Sequence, residues 1–162
     1  MVKVVLVNPE IPPNTGNIAR TCAATETELH LVKPLGFDLS DRYLKRAGLD
    51  YWPYVQLTVH DSWEAFYAGA RAAGGRLLGF STSGASSYIA EPYQIDDWLI
   101  FGKETEGLST PQLQQCDRTL YIPMAQPAVR SLNLSVSVAV GVFEALRQTQ
   151  QLVASPRPRT LS

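Results

Sequence analysis

Three short segments of the chain combine glycine, proline and polar side chains in ways that could bind a ligand. The first, NPEIPPNTGNIAR, runs from Asn8 to Arg20 and connects an apolar stretch to a helical pattern. Its prolines stiffen the connection, and Asn14 could cap the helix. The first helical turn would then stay open to an anion such as a phosphate. Taken alone, the segment is better explained as an ordinary strand–helix connection with an exposed arginine.

The second segment, FGKETEGLS, covers Phe101 to Ser109 and directly follows an apolar run. Gly102 and Gly107 bracket polar residues where parallel sheets usually bind ligands, at the carboxyl end of a strand. It is not a P-loop, because Leu and Ser follow the second glycine instead of Lys and Ser or Thr. The chain also lacks the GxGxxG pattern of dinucleotide sites. A glycine-rich turn with a charged tip explains this segment equally well.

The third segment begins where an apolar run ends at YIPM, Tyr121 to Met124, and continues as VRSLNLS from Val129 to Ser135. Ser131 could cap the helix that follows. Arg130, beside it, carries the planar guanidinium that pairs well with phosphate oxygens. The segment therefore brings a possible cap and a possible phosphate contact together at the start of the last helix.

The elements that would position these segments alternate along the chain. Six runs rich in Val, Leu, Ile, Phe and Tyr are predicted as strands: Lys3–Val7, Glu28–Val32, Val55–Val59, Arg76–Ser81, Trp98–Phe101 and Thr119–Ile122. Helical patterns lie between them: Asn14–Ala24, Asp41–Ala47, Ser62–Ala73 and Thr110–Gln115. Most of the strand runs are apolar on both faces, as in a covered sheet. The order predicts an α/β fold with a mainly parallel sheet and helices on both faces.

The last element, from Leu132 to Gln150, fits two periodicities. Apolar residues alternate strictly between Leu132 and Val142, which favours a strand. The same residues also cover most of a helix surface, and about nineteen residues exceed the usual strand of roughly five or six. We therefore predict a buried helix. Because its apolar surface is larger than one chain would need, we expect a partner subunit to cover part of it.

Length and composition describe an ordinary globular chain of 162 residues, 45% apolar and 18% charged. We expect one domain over residues 1–152 and a flexible tail over residues 153–162. The net charge of −1 does not by itself indicate a nucleic-acid ligand. Cys22 and Cys116 lack metal-site spacing, which favours buried thiols in a reducing compartment and no bound metal. Without a membrane-length apolar run or a secretory signal, we expect a cytoplasmic protein.

Taken in order, the three segments resemble the signature motifs of the SPOUT class of RNA methyltransferases. The resemblance runs from about Lys3 to Gln148 and rests on NTGNIAR (14–20), FGKETEGL (101–108), IPM (122–124) and SLNLS (131–135). RAGLDY (46–51) further resembles the smallest branch, the tRNA (cytidine/uridine) 2′-O-methyltransferases of the anticodon wobble position. The resemblance implies an α/β fold whose C-terminal segment forms a trefoil knot. Pattern alone predicts an unknotted sheet, because knots are almost absent from proteins.

The resemblance also implies a cofactor, a substrate and a set of site residues. The cofactor is S-adenosylmethionine, the substrate is tRNA, and the site is completed across two subunits of a homodimer. The implied cofactor contacts are Phe80, Gly102, Ile122, Met124 and Ser131. Asn14 and Arg130 are implied as RNA contacts. Arg20 and Asn133 are implied as catalytic residues.

The implied reaction is displacement at a sulfonium methyl group by a ribose 2′-hydroxyl, which needs alignment of the reacting atoms and no metal. In this family the arginine of the first motif, here Arg20, is considered as the base. A guanidinium stays protonated at ordinary pH, so we assign Arg20 to stabilising phosphate and alkoxide charge, with Asn14 and Asn133 orienting the groups. Glu106 stands where some members of the branch carry a basic residue. An acid there would repel phosphate unless Lys103 compensates.

Two other functions fit the same residues. One is 2′-O-methylation at another RNA site, although relatives that modify ribosomal RNA usually carry an extra N-terminal RNA-binding domain, which we do not expect here. The other is a catalytically silent dimer that binds RNA or an adenosyl ligand, which would suit the weak net charge and Glu106. Arg20, Ser131 and Asn133 favour the enzyme, since all three are present.

Overall fold

A computed structural model of the chain describes residues 1–40, 42 and 50–152. Within that part, seven strands form one sheet: β1 Lys3–Val7, β2 Glu28–Val32, β3 Leu57–His60, β4 Leu77–Phe80, β5 Ser86–Ser87, β6 Trp98–Phe101 and β7 Arg118–Tyr121. Their spatial order is β3-β2-β1-β6-β4-β7-β5, and each neighbouring pair is parallel. The predicted parallel α/β architecture is therefore confirmed.

The central strands are those that the sequence predicts best. β1, β2 and β6 have the predicted bounds, because residues buried on both faces form continuous apolar runs. β3 begins two residues later than predicted, after a single 3₁₀ turn at Trp52–Tyr54 in which the Val55 amide donates to the Trp52 carbonyl (3.1 Å). β5 is missed, since two serines at the edge of the sheet carry no apolar signal.

Four helices accompany the sheet in the described residues: α1 Pro12–Thr25, α2 Trp63–Ala73, α3 Thr110–Gln115 and α4 Leu134–Gln148. The prediction that Asn14 caps α1 is wrong. The helix begins two residues earlier, with Pro12 and Pro13 in the first turn, where proline's fixed φ suits a helix and its missing N–H costs nothing. The predicted cap of α2 is confirmed, because the Ser62 hydroxyl accepts from the Ala65 amide (3.1 Å).

The last segment is a helix, as predicted. It starts at Leu134, two residues later than a helix capped by Ser131 would start. Asn133 is the N-cap instead, and its Oδ1 accepts from the Ser135 amide (2.8 Å). One side of α4 is buried against the sheet, while Val136 and Phe143 are each 47% exposed. Part of the apolar surface of α4 is thus exposed on this chain, as the sequence predicts.

The core has two layers, one on each face of the sheet. Val4 and Leu6 of β1 pack in the same cluster as the buried residues of α1 and α4. Val5 and Val7, one residue out of step, pack in a second cluster with Trp63 and Phe66 of α2. This alternation follows from the two-residue period of a strand. Helices therefore cover both faces, as predicted.

Three expectations fall wholly or partly outside the described residues. The predicted helix Asp41–Ala47 is described only at Arg42, which is helical. The RAGLDY motif is described only at its last two residues, and the predicted tail, residues 153–162, lies outside altogether. Among the described helices, none is long and apolar enough to cross a membrane. Both cysteines are free thiols, and burial raises the pKa of each to about 12.

Candidate active site

A cavity of about 540 Å³ opens at the carboxyl ends of β4, β6 and β7. Its walls come from the start of α1, from residues 80–82 at the end of β4, from residues 101–107 at the end of β6, and from the connection between β7 and α4. Parallel strands end at the same edge of a sheet, which is why segments far apart in sequence meet there. The volume is within the range of pockets that hold small-molecule ligands.

Eight of the nine site residues named from the sequence line this cavity: Asn14, Phe80, Gly102, Ile122, Met124, Arg130, Ser131 and Asn133. Arg20 is not one of its lining residues. The structure thus brings the three sequence segments together, and it separates the first-motif arginine from the cavity of its own chain. The roles of the individual residues stay predictions.

Glu104 holds the start of α1 in place. Its Oε2 accepts from the Glu10 amide (2.8 Å), and its Oε1 accepts from the Ile11 amide (3.0 Å) and from Asn14 Nδ2 (3.3 Å). An internal carboxylate thus lies at the amino end of α1, the end that favours an anion. The sequence offered no local signal for this role, since the partners lie 90 or more residues away.

A chain of side-chain hydrogen bonds continues from Glu104 to the start of α4. Asn133 Nδ2 donates to Asn14 Oδ1 (3.0 Å), and Asn133 Oδ1 accepts from the Ser135 hydroxyl (2.6 Å) as well as from the Ser135 amide. Asn14 therefore donates on one side and accepts on the other, which fixes its amide orientation. We call Glu104, Asn14 and Asn133 the polar bridge. It joins all three segments around the cavity.

The loop after β6 closes tightly on itself. The Gly107 amide donates to the Lys103 carbonyl (2.9 Å), and Gly107 has a φ of +68°, a conformation that favours glycine. A Cβ at Gly102 would lie 2.0 Å from the Gly107 carbonyl carbon, so that position admits only glycine without movement of the backbone. Steric requirements thus explain why glycine occupies both ends of this segment.

Lys103 and Glu106 form an ion pair at the tip of this loop, with 2.7 Å between Nζ and Oε2. The nearby ammonium holds the pKa of Glu106 below its ordinary value, and the carboxylate raises the pKa of Lys103. Lys103 thus offsets the negative charge that Glu106 would otherwise present to a phosphate. Because both groups are exposed, the pair contributes little to stability.

Phe80 forms the floor of the cavity. Its ring stacks on that of Phe101, with centroids 4.5 Å apart, and is 7% exposed. A Cβ at Gly141 of α4 would lie 2.9 Å from Phe80 Cζ, so the small residue lets the last helix approach the ring. Above this floor, apolar side chains of Leu120, Ile122, Met124, Leu132 and Leu134 stand beside hydroxyls of Ser81, Thr82, Ser131 and Ser137.

This mixture suits a ligand with a flat aromatic ring and polar groups around it, such as an adenosyl group joined to an amino acid. The apolar side chains can pack on the ring, and the hydroxyls and backbone groups can bind the ribose and the amino-acid part. The residues present therefore fit an adenosyl cofactor. In the described part of the chain, no group of three or more His, Cys, Asp or Glu side chains is arranged to hold a metal ion.

Arg20 lies on the exposed surface of α1, stacked on an aromatic ring. Its guanidinium carbon is 4.6 Å from the centroid of the Tyr51 ring, and Nη2 donates to the Tyr51 hydroxyl (3.3 Å). Neither Arg20 nor Arg130 has a carboxylate partner within the described residues, whereas Arg71, Arg76 and Arg147 each do. In that part of the chain, no carboxylate therefore offsets the charge of Arg20 or Arg130.

Comparisons with known proteins agree with this geometry. Relatives from several bacteria are between 45% and 60% identical to the chain. One of them, a tRNA (cytidine(34)-2′-O)-methyltransferase from Polaromonas sp., is 50% identical over 151 residues, 91% of each chain. A solved structure concerned with the 2-OH methylation of C/U34 on tRNA superposes with a TM-score of 0.87 at 50% identity. It covers 91% of this chain and 95% of the other.

A more distant structure carries a bound ligand. The SpoU methyltransferase AviRb from Streptomyces viridochromogenes, in complex with the cofactor AdoMet, superposes with a TM-score of 0.80 at 27% identity over 91% of this chain and 57% of that one. The sequence profile of the SpoU rRNA Methylase family matches residues 1–143, nearly the whole of the described chain. By its sequence, its fold and the segments that meet at the cavity, this chain belongs to the SpoU rRNA methylase family.

Proposed function

We propose that this chain transfers a methyl group from S-adenosylmethionine to the ribose 2′-hydroxyl of the wobble nucleotide, cytidine or modified uridine, in tRNA anticodons. The observation that carries the proposal is the meeting of three separate sequence motifs around one cavity at the carboxyl ends of the strands. The Polaromonas relative and the C/U34 structure support the choice of tRNA position 34.

The cofactor would occupy the cavity above Phe80. S-adenosylmethionine supplies a methyl group already activated on a sulfonium, so the leaving group needs no metal. Backbone groups at Gly102 and Ile122 and the hydroxyl of Ser131 would bind its polar parts, with Met124 against the adenine. The AdoMet complex of the AviRb methyltransferase supports this assignment.

The protein's own residues orient the ribose and stabilise the charge that develops on its oxygen. Arg20 would bind the phosphate next to the target ribose and stabilise the ribose oxygen while its proton passes to solvent, since a guanidinium donates well and does not accept a proton. Asn133, held by the polar bridge, would orient the ribose, and Arg130 would bind a second phosphate. These contacts act mainly by positioning the ribose. The entropic cost of bringing two substrates into the reacting geometry is a large part of the barrier.

The homodimer belongs to the proposal because one chain leaves the site incomplete. Arg20 is absent from the lining of its own cavity, and α4 exposes Val136 and Phe143 as an apolar surface. We therefore propose that two copies pack through α4 and that Arg20 of each copy serves the cavity of the other. The trefoil knot and a cytoplasmic location are proposed with it, on the strength of the family resemblance.

The central test is methyl transfer by the purified protein. Unmodified total tRNA, ribosomal RNA and tRNA lacking the 2′-hydroxyl at position 34 would be incubated with radiolabelled S-adenosylmethionine, and the methylated position mapped by resistance to alkaline cleavage. We expect label at position 34 of tRNA and none in the deoxy control. Label at another position would favour the second enzyme function. Cofactor binding without transfer to any RNA would favour the silent dimer.

A complementation test addresses the shared site. An Arg20→Ala variant and a Ser131→Trp variant, which fills the cavity, should each be inactive alone. If each site combines two chains, mixing them after unfolding and refolding should restore about a quarter of wild-type activity, because half of the dimers are mixed and each has one intact site. Absence of recovery, with mixed dimers shown to form, would contradict the shared site.

A further inference from the structure

We propose that Tyr51 is a positioning residue that holds the Arg20 guanidinium ready for the substrate; this inference rests on the proposed function. The stack and the hydrogen bond described above fix the guanidinium at two points, through one face and one N–H. A guanidinium has five N–H donors. Among the described residues no other contact to this guanidinium is found, which leaves four donors and the other face for phosphate and ribose oxygens.

The backbone of Tyr51 is itself well supported. Its carbonyl accepts from the Tyr54 amide (2.9 Å), so Tyr51 begins the 3₁₀ turn Trp52–Tyr54, and Pro53 restricts that turn further. Trp52 is half-buried and packs against the cluster that contains α1 and α4. The Tyr51 ring therefore projects from a braced turn, which makes it a firm support for a long, otherwise mobile arginine.

A second arginine–tyrosine stack in the same molecule shows what is special about this one. The Arg71 guanidinium lies 5.1 Å from the Tyr67 ring, and it also binds both oxygens of Asp117. The charge of Arg71 is thus compensated by the Asp117 carboxylate of the same chain. Tyr51 contributes a ring face and a hydroxyl and no carboxylate, so it orients Arg20 without an acidic partner. An arginine that is oriented and still fully charged is what binding an anionic backbone requires.

The neighbouring Tyr54 provides a matched control. It is 71% exposed, against 38% for Tyr51, and lies on the same turn without an arginine contact among the described residues. If exposed tyrosines of this turn simply stack on RNA bases, both side chains should matter. If Tyr51 acts through Arg20, only Tyr51 should matter, and only while Arg20 is present.

The experiment is a double-mutant cycle on the full chain, read as single-turnover methyl transfer to tRNA with excess enzyme and as tRNA affinity. Tyr51→Leu should lower the transfer rate and the affinity about tenfold, and Tyr51→Phe, which keeps the ring, should recover most of that loss. Cofactor affinity and melting temperature should stay at wild-type values. Tyr54→Leu should leave both readouts unchanged. In an Arg20→Ala background, Tyr51→Leu should have no further effect.

The possible results distinguish a failure of the proposed function from a failure of the role of Tyr51. A wild-type protein that methylates no tRNA would overturn the proposed function and this inference together. A wild-type protein that is active, with Tyr51→Leu fully active as well, would overturn the inference alone. Independent effects of Tyr51→Leu and Arg20→Ala, or an equal loss in Tyr54→Leu, would also overturn it, because Tyr51 would then contact the RNA directly or act on the fold.

Discussion

The two ends of the central sheet use their charged residues in opposite ways. At the amino ends of β4 and β6, Arg76 binds both oxygens of Asp97 (2.9 and 2.6 Å) and one oxygen of Glu91 (2.7 Å). Asp97 is fully buried and also accepts from the Gln94 amide. At the carboxyl ends, Arg130 lines the cavity, and no carboxylate partner is found for it in the described residues.

The difference has a physical reason. A buried charge must be compensated within the protein, because its desolvation costs several kcal/mol. An exposed cation carries no such penalty and stays available to a ligand. The amino ends therefore contribute to stability, and the carboxyl ends are left able to bind an anion. The first three of the following predictions test this difference, and the last concerns a third region.

The largest effect is expected at the amino ends. Arg76→Ala would leave Asp97 buried and unpaired, which should lower the free energy of unfolding by about 3–5 kcal/mol. The measurement is urea unfolding followed by circular dichroism. Arg71→Ala is the control, since its partner Asp117 is more exposed and its loss should cost far less. A change below about 1 kcal/mol for Arg76→Ala would contradict the structural role assigned to this end.

The next effect is expected on activity alone. Arg20→Lys keeps the charge but loses the planar donor array, so methyl transfer should fall about a hundredfold, roughly 2.7 kcal/mol in the barrier. Cofactor binding, measured by calorimetry with S-adenosylhomocysteine, should change little. Arg118→Lys, at the amino end of β7, should leave transfer unchanged. Near-normal turnover in Arg20→Lys would remove the role proposed for this residue.

Glu104→Gln tests a carboxylate that belongs to the cavity end yet is used internally. The neutral amide would keep the shape but weaken three hydrogen bonds, two of them to backbone amides, at a cost of about 1–2 kcal/mol in unfolding free energy. Cofactor affinity should fall with it, since the same side chain positions Asn14. Glu106→Gln, in the exposed ion pair, should alter neither quantity. Equal effects of the two variants would argue against the polar bridge.

The smallest effect concerns pH and a third region, at the β2–β3 edge. His30 Nδ1 and His60 Nε2 lie 2.9 Å apart, His30 Nε2 is 3.3 Å from Glu28, and burial lowers the pKa of both histidines. The folded protein thus binds fewer protons than the unfolded chain as pH falls below about 6.5. The free energy of unfolding should therefore stay constant with respect to these histidines above about pH 6.5 and decrease as the pH falls below it.

The measurement is urea unfolding between pH 7.5 and pH 5.5. From the buried His30, we expect a loss of no more than about 1 kcal/mol between pH 7 and pH 6. His30→Gln should flatten this part of the curve, whatever its effect on stability at pH 7.5. A wild-type protein that gains stability as the pH is lowered would contradict the assignment.

Most local features were predictable where a residue's neighbours in sequence are also its partners, although the cap of α4 is Asn133 and not Ser131. The Ser62 cap depends on the amide three residues ahead, and the bounds of β1 follow from a continuous apolar run. Interpretations that depended on distant partners did less well. Asn14 was expected to cap its own helix, but it bonds to Glu104 and Asn133 instead. His30 and His60 gave no sign that they touch, because only the parallel pairing of β2 and β3 brings them together.

The sequence by itself determined which residues face the core, where most helices and strands lie, and which three segments have the composition of a binding site. Periodicity and capping are short-range properties, so a linear pattern can carry them. Only the tertiary structure decided that those segments share one cavity, that Glu104 closes the start of α1, and that Arg20 rests on Tyr51. These outcomes depend on strand order and on contacts spanning up to 119 residues, whose free energies no local pattern contains.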